Sequence, residues 1–345
     1  MLDVSQVQSK RNYTCIELFA GGGGLALGLH TAGFNTVGLV EIDTYAAQTL
    51  RYNKPEWNVI DKDIIQVVEH GIRSYLTPQD IEIDLVSGGY PCQAFSYAGH
   101  RKGFEDIRGT LFYYYAEVLK QVQPKVFLAE NVKGLLTHDK GKTFETMRNV
   151  FGEMGYRVTW KVLNANDYNV AQKRERLIII GIRQDITEDF IWPQPFDYKP
   201  VLRDCLKNVP ESIGDKYSEK KKAVLDLVPE GGNWKNLPPE VGRAYVGASY
   251  DNPKGGQTGI ARRLAWDSPA VTLLCSPSQK QTERCHPSET RPLTVREYAR
   301  VQSFPDNWMF QGSMAQQYKQ IGNAVPVEMA KCVGLAIIDL LNRCE

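Results

Sequence analysis

The segment Gly89-Tyr90-Pro91-Cys92-Gln93 directly follows the apolar run Ile83-Asp84-Leu85-Val86-Ser87, which sets a single thiol at the carboxyl end of a predicted strand. That edge is where α/β enzymes gather reacting groups. Pro91 fixes its own φ and biases Tyr90 toward extended backbone, so a stiff turn presents the thiol. Such a cysteine can act as a nucleophile once deprotonated; the competing reading is a small buried core residue. A carboxylate, Glu130, ends a second β-rich run, Lys125–Ala129. Arg174 and Arg176 alternate along a third, with side chains on one side of the predicted strand, although a surface charge cluster is the plainer account of Arg174 and Glu175.

The first predicted strand ends in Glu17-Leu18-Phe19-Ala20-Gly21-Gly22-Gly23-Gly24 and runs into a helical pattern, Leu25 to Leu29. Four glycines permit close backbone approach of a ligand, and the helix amino terminus offers unpaired N–H groups. Ala26 and Leu27 break the G-x-G-x-x-G spacing, so a carboxylate-bearing nucleoside fits better than a nicotinamide dinucleotide. Glu41 follows the second strand about twenty residues on, where an acid commonly accepts from ribose hydroxyls. Asp63-Ile64 follows the stretch Trp57–Ile60 and could meet an adenine amino group. The alternative for both acids is an ordinary strand-end turn.

These residues need a scaffold. Short β-rich runs (Tyr13–Phe19, Thr36–Val40, Ile83–Ser87, Lys125–Ala129, Arg157–Val162 and Leu177–Ile182) alternate with helical patterns such as Leu111–Gln121 and Lys142–Met154. The alternation predicts an α/β fold with a doubly wound, mostly parallel sheet. From about Trp192 to Pro305 prolines and glycines crowd in, predicting a second, smaller, irregular β-rich domain. Helical periodicity returns over Val327–Leu341, expected to pack back onto the first sheet. The domain division read from this texture is 1–193 with 319–345, and 194–318.

The chain has 345 residues with 41 Lys plus Arg against 40 Asp plus Glu, so net charge does not point to nucleic acid and any basic face must be local. Seven cysteines without a C-x-x-C spacing argue against a disulfide framework or zinc ribbon and fit a reducing cytoplasm. No signal pattern or bilayer-length apolar stretch is evident. Lys220-Lys221-Lys222 reads as a solvated helix face, and Cys285-His286 lacks two further metal ligands.

The ordered motifs resemble those of the DNA (cytosine-5) methyltransferases of bacterial type. They are Phe19–Gly24, Glu41, Asp63, Pro91-Cys92-Gln93, Arg108-Gly109-Thr110-Leu111-Phe112, Glu130-Asn131-Val132, Gln172-Lys173-Arg174-Glu175-Arg176, Arg291-Pro292-Leu293-Thr294 with Arg300–Pro305, and Gln320–Pro326. Glu17 stands where the family often has Asp, and Tyr90 where it often has Phe or Pro. The resemblance implies a Rossmann-like methyltransferase sheet, S-adenosylmethionine as methyl donor with S-adenosylhomocysteine as product, and no metal. It implies a pocket of Phe19, Gly21, Gly23, Glu41, Ile42, Asp63, Ile64, Pro91, Leu111 and Asn323. Cys92 would add to cytosine C6, Glu130 would contact N3 and the exocyclic amine, and Arg174 and Arg176 would hold the cytosine carbonyl, Glu130 and nearby phosphate.

A base inside a duplex cannot reach such a crevice, so it must flip out, with a closing loop over it. Gln93 to Arg108 suits that role, with Gly99 and Gly103 as hinges and Ser96, His100, Arg101 and Lys102 facing DNA. In the second domain the stretch from Asn252 to Trp266 has no acid, and Lys254–Arg263, with Arg262 and Arg263, is the leading DNA-reading segment. Thr272-Leu273 resembles the family's Thr-Leu in the target-recognition domain. Double-stranded DNA is the expected partner, with a cognate restriction endonuclease in the same system but not bound to it. A monomer in a bacterial cytoplasm is expected. The other readings are a catalytically silent DNA-binding regulator, an RNA methyltransferase of the same chemistry, and a nicotinamide-dependent oxidoreductase.

Overall fold

The computed structural model describes residues 1–91, 109–247, 250–251, 259–280 and 283–345. The chain divides into two compact units: Met1–Asn164 with Glu175–Pro195 and Val327–Glu345, and Ala165–Arg174 with Phe196–Pro326.

The first unit alternates strand and helix: β1 (Thr14–Leu18), α1 (Gly24–Ala32), β2 (Asn35–Val40), α2 (Thr44–Asn53), β3 (Val59–Ile60), α3 (Ile64–His70), β4 (Leu85–Gly88), α4 (Leu111–Val122), β5 (Val126–Val132), α5 (Lys142–Glu153) and β6 (Tyr156–Asn164). After β7 (Gln172–Lys173) in the second unit, β8 (Glu175–Arg183) returns to the first. The seven-stranded sheet has the order β3-β2-β1-β4-β5-β8-β6. Strands β3, β2, β1, β4 and β5 pair in parallel, whereas β8 is antiparallel to both β5 and β6. The fold is therefore α/β with a mostly parallel, Rossmann-like sheet.

Strands β1, β4 and β5 carry continuous buried runs, as a sheet covered on both faces requires. Phe127 from β5 meets Phe151 from α5 at 4.3 Å between ring centroids, and Phe112, Tyr115 and Tyr156 complete an aromatic core. Burying each such ring contributes about 1.5–3 kcal/mol. The terminal helix α11 (Val327–Arg343) packs on α1, where a Cβ at Gly28 would lie 2.4 Å from Ala330 Cβ. Glycine at 28 thus allows the close contact that holds α1, and with it the loop at its amino terminus.

The second unit contains α6 (Leu202–Cys205), α7 (Glu219–Leu225), α8 (Pro239–Val246), β9 (Ala270–Val271), α9 (Val295–Val301) and α10 (Met314–Asn323). Among the described residues its regular strand is sparse: β7 and β9 pair over two residues, supplemented by isolated bridges such as Arg263 to Cys285. The proline- and glycine-rich texture resolves mainly into turns and short helices. Its core gathers Tyr217, Leu225, Val228, Trp234, Leu237, Ala261 and Cys285. No helix among the described residues is long and apolar enough to cross a membrane.

Candidate functional site

Register aligns the strand ends of the first unit along one edge: Leu18 opposes Val40 and Gly88, Val40 opposes Ile60, and Gly88 opposes Ala129. The loops leaving these strands carry the residues singled out in the sequence. After β1, Phe19 turns with φ +58°, Gly21 with +54° and Gly23 with +89°, and Gly23 caps α1 in the left-handed region. A Cβ at Gly21 would meet nothing within 4 Å, so the loop opens onto free space there.

Glu41 follows β2. Its carboxylate accepts from the Gly21 N–H at 2.6 Å and the Asp43 N–H at 2.7 Å, which fastens the glycine loop to the next strand end. Burial pushes its carboxyl above the ordinary range, and the Asp43 and Gly21 amides oppose that shift. Two N–H donors leave lone-pair sites on the carboxylate for hydroxyls. Asp63 caps α3 by accepting from Ile65 N–H at 3.0 Å. Ile64 is buried, whereas Ile42 is 63% exposed beside Glu41. Beneath the loop lies Glu17, which is almost fully buried. Desolvation holds its carboxyl well above the ordinary range, and Ser87 Oγ lies 3.5 Å away. A glycine cradle with open space and an acid at the second strand end fits an adenosyl ligand.

The turn after β4 is built from neighbours on both sides. Tyr90 is buried against Phe112 and Tyr115, with ring centroids at 5.4 and 5.2 Å, and its carbonyl accepts from Asn131 Nδ2 at 3.0 Å. Pro91 is exposed at the end of this anchored turn. Cys92 and the other residues of the expected closing loop, among them Gln93, Ser96, His100, Arg101 and Arg108, lie outside the described residues. Thr110 caps α4, and half-buried Leu111 begins it.

Because β8 runs backwards, its first residues arrive at the same edge as the last residues of β5: Arg176 opposes Val132. Arg176 Nε lies 2.9 Å from Glu130 Oε1, with both side chains only about one-eighth exposed at 13% and 12%. A Cβ at Gly89 would lie 2.7 Å from Glu130 Oε2, so a side chain there would push this carboxylate from its present position. Burial draws the Arg176 guanidinium below its ordinary pKa, and Glu130 counters it. Glu130 is therefore gripped by an arginine on one oxygen and flanked by the Gly89 backbone on the other. The fixing roles of Gly89 and Asn131 were not assigned from sequence, although both adjoin residues that were.

Arg174 departs from the expected alternation with Arg176. It precedes β8 and belongs to the second unit, where it is almost completely buried and donates to Leu273 O at 3.0 Å and Gly322 O at 2.9 Å. These bonds tie the Thr272–Leu273 segment to the end of α10. There, Asn323 Oδ1 accepts from Cys275 Sγ at 2.9 Å. Thr272 Oγ1 donates to Lys173 O at 2.9 Å, and its carbonyl takes Arg284 Nε and Nη2 at 3.2 and 3.0 Å.

Arg262 and Arg263, neighbours expected to share one role, differ. Arg263 is buried and its guanidinium donates to the carbonyls of Val228, Leu225, His286, Pro287 and Glu289 and to Thr290 Oγ1, which leaves it no donor for a base edge. Its expected DNA-reading role is replaced by a structural one. Arg262 is half-buried, its Nε is buried without a hydrogen-bond partner, and burial alone lowers its pKa. Arg263→Ala is therefore expected to destabilise the protein by roughly 2–4 kcal/mol by stranding carbonyls. Arg262→Ala should shift stability by less than about 0.5 kcal/mol. Urea unfolding of both variants checks this contrast, and equal effects would contradict it.

The family model for C-5 cytosine-specific DNA methylase matches residues 13–339. The chain is 54% identical to Type II methyltransferase M.Sau96I of Staphylococcus aureus over 99% of its own length and 79% of that protein's. It is 51% identical to Type II methyltransferase M.Eco47II of Escherichia coli over 97% of its length and 81% of the relative's. The crystal structure of a Spodoptera frugiperda DNMT2 mutant shares the fold, with a TM-score of 0.68 at 18% identity, covering 95% of this chain and all of that one. With the family model spanning nearly the whole chain and relatives above half identity, the protein belongs to the C-5 cytosine-specific DNA methylases and is a DNA cytosine-5 methyltransferase.

Proposed function

We propose that the protein methylates C5 of a flipped-out cytosine at a specific site in duplex DNA through a covalent adduct between Cys92 and C6, with Glu130 and Arg176 controlling the base's charge. The observation that carries this reading is the Glu130–Arg176 pair set against Gly89, in the segment that leads in sequence to Pro91 and Cys92. C5 of cytosine is a weak nucleophile. Addition of the Cys92 thiolate forms a C6–S bond and pushes the C5–C6 π pair toward N3, where Glu130 supports proton transfer. C5 then has enamine character. Arg176, fixed by Glu130, holds the cytosine carbonyl and keeps the base in register. After methylation, removal of the C5 proton expels the thiolate and restores the ring.

S-adenosylmethionine supplies the electrophilic methyl, and S-adenosylhomocysteine is its product. Phe19, Gly21, Gly23, Glu41, Ile42, Asp63, Ile64, Pro91 and Leu111 are the residues of the first unit proposed to hold it. Gly21 and Gly23 give the cradle its open backbone, Glu41 takes the ribose hydroxyls, and Ile42 covers the adenine. Glu41→Ala is expected to weaken S-adenosylmethionine binding by about 1–3 kcal/mol, because it strands the hydroxyls and frees the Gly21 amide. Calorimetry finding an unchanged affinity would remove Glu41 from the pocket. No metal enters this account.

Arg174 fastens the Thr272–Leu273 segment, and Arg262 is the described residue best suited to read a base edge, since arginine pairs bidentately with guanine. Gln93, Ser96, His100, Arg101, Arg108 and Thr272 are proposed to contact DNA around the flipped base. Sequence choice belongs to the second unit and chemistry to the first. The protein acts as a monomer in a bacterial cytoplasm, with a cognate endonuclease sharing its site. Bisulfite sequencing of DNA from cells expressing the chain tests the activity and maps the site: conversion-resistant cytosines at one recurring sequence support the proposal, and fully converted DNA contradicts it.

A further inference from the structure

One heavily anchored buried charge in the second unit lies outside every motif that suggested a role. Glu283 is fully buried, and its carboxylate collects three donors from three separate segments. Tyr245 Oη, on α8, donates to Oε1 at 2.6 Å; Lys221 Nζ, on α7, lies 3.1 Å from Oε1; and the Ala261 N–H donates to Oε2. Lys221, expected on a solvated helix face, instead turns inward and also donates to Ser278 O. A carboxylate this deep is tolerated only because it is paired and hydrogen-bonded.

What Glu283 holds is the chain immediately before Arg262. Ala261 has φ +47°, a conformation uncommon for a residue with a side chain, and its N–H is the one that Glu283 receives. On the other side, Arg263 is fixed by its six acceptors and by its own N–H to Gly232 O at 3.1 Å. Arg262 thus stands between two immobilised neighbours, and its own Nε is buried without a hydrogen-bond partner. Burying the Arg262 Nε without an acceptor in a rigid frame is unfavourable unless a ligand supplies one at a fixed place. A base edge does so, whereas phosphate contacts tolerate a mobile side chain.

We propose that Glu283, acting with Tyr245 and Lys221, is a positioning residue for target choice: it fixes the Ala261 turn so that Arg262 meets the acceptor pair of one base. The proposal rests on the reading of Arg262 as a base contact. A frame loosened at Glu283 lets Arg262 accommodate other base pairs, so discrimination falls while the machinery for methyl transfer stays intact.

The test compares Glu283→Gln, Tyr245→Phe and Arg262→Ala on duplex oligonucleotides carrying the mapped site and each single-base variant of it. For Glu283→Gln and Tyr245→Phe the ratio of kcat/KM on the mapped site to that on the best variant is expected to fall about tenfold. The Kd for S-adenosylmethionine should stay within about twofold of the parent. Tyr245→Phe keeps the ring and removes a single donor, so it carries the test if Glu283→Gln fails to fold. Activity that declines on all duplexes in one proportion, with an unchanged ratio, overturns the positioning role. If Arg262→Ala relaxes the ratio while the other two leave it intact, only the role of Glu283 fails. If Arg262→Ala leaves the ratio unchanged, the reading of Arg262 fails and this proposal with it.

Discussion

Replacing Glu130 by glutamine is expected to lower kcat by about 10²–10⁴-fold, the range for loss of a group that handles a proton in the transition state. Glutamine keeps the size that fits beside Gly89 and can still accept from Arg176 Nε, so the packing at the end of β5 survives. What is lost is the carboxylate that supports protonation at N3 as the thiolate adds. Because the removed interaction belongs mainly to the transition state, kcat and kcat/KM should fall together. Arg176→Ala differs, because it also takes from a shielded carboxylate its arginine partner, which costs about 3–5 kcal/mol in a fully buried setting and less at this partly solvated edge. Single-turnover methylation by Glu130→Gln, alongside its unfolding curve, separates the two effects. A rate within threefold of the parent would remove Glu130 from the chemistry.

The strand ends that build the site were legible because a sheet covered on both faces writes near-continuous apolar runs, and each run here is followed by residues that are poor core material: Gly21, Glu41, Asp63, Gly89 and Glu130. The last helix was legible from its period over Val327–Leu341; it runs on to Arg343 and packs on α1 through Gly28. The direction of β8 was not. Its apolar run reads the same either way, yet its reversal is what carries Arg176 to Glu130 and sends Arg174, two residues earlier, to Leu273 and Gly322.

The same limit governs the second unit. Arg262 and Arg263 are identical in type and adjacent in sequence, and their fates are set by carbonyls at Leu225, Val228 and His286 that no local pattern couples to them. Lys221 sits in a run of three lysines and differs from its neighbours only because Glu283, sixty-two residues on, is buried within reach. Local period reports which face is apolar; it does not report which polar side chain a distant segment will claim.

The Cys92 thiolate is assigned the step on which every other assignment depends, and its removal should have the largest effect of all. Cys92→Ala is expected to lose at least about 10⁴-fold in methylation rate while retaining S-adenosylmethionine binding, since it removes the nucleophile proposed to add to C6. The most direct measurement is trapping on a duplex with 5-fluorocytosine at the mapped position. Fluorine cannot leave as a proton does, so the adduct cannot resolve after methyl transfer. With S-adenosylmethionine present, the protein should form a complex stable on a denaturing gel, and mass spectrometry should place the nucleotide on the peptide containing Cys92. Cys92→Ala should form none. An adduct formed by Cys92→Ala, or one mapped to any other residue, would contradict the account.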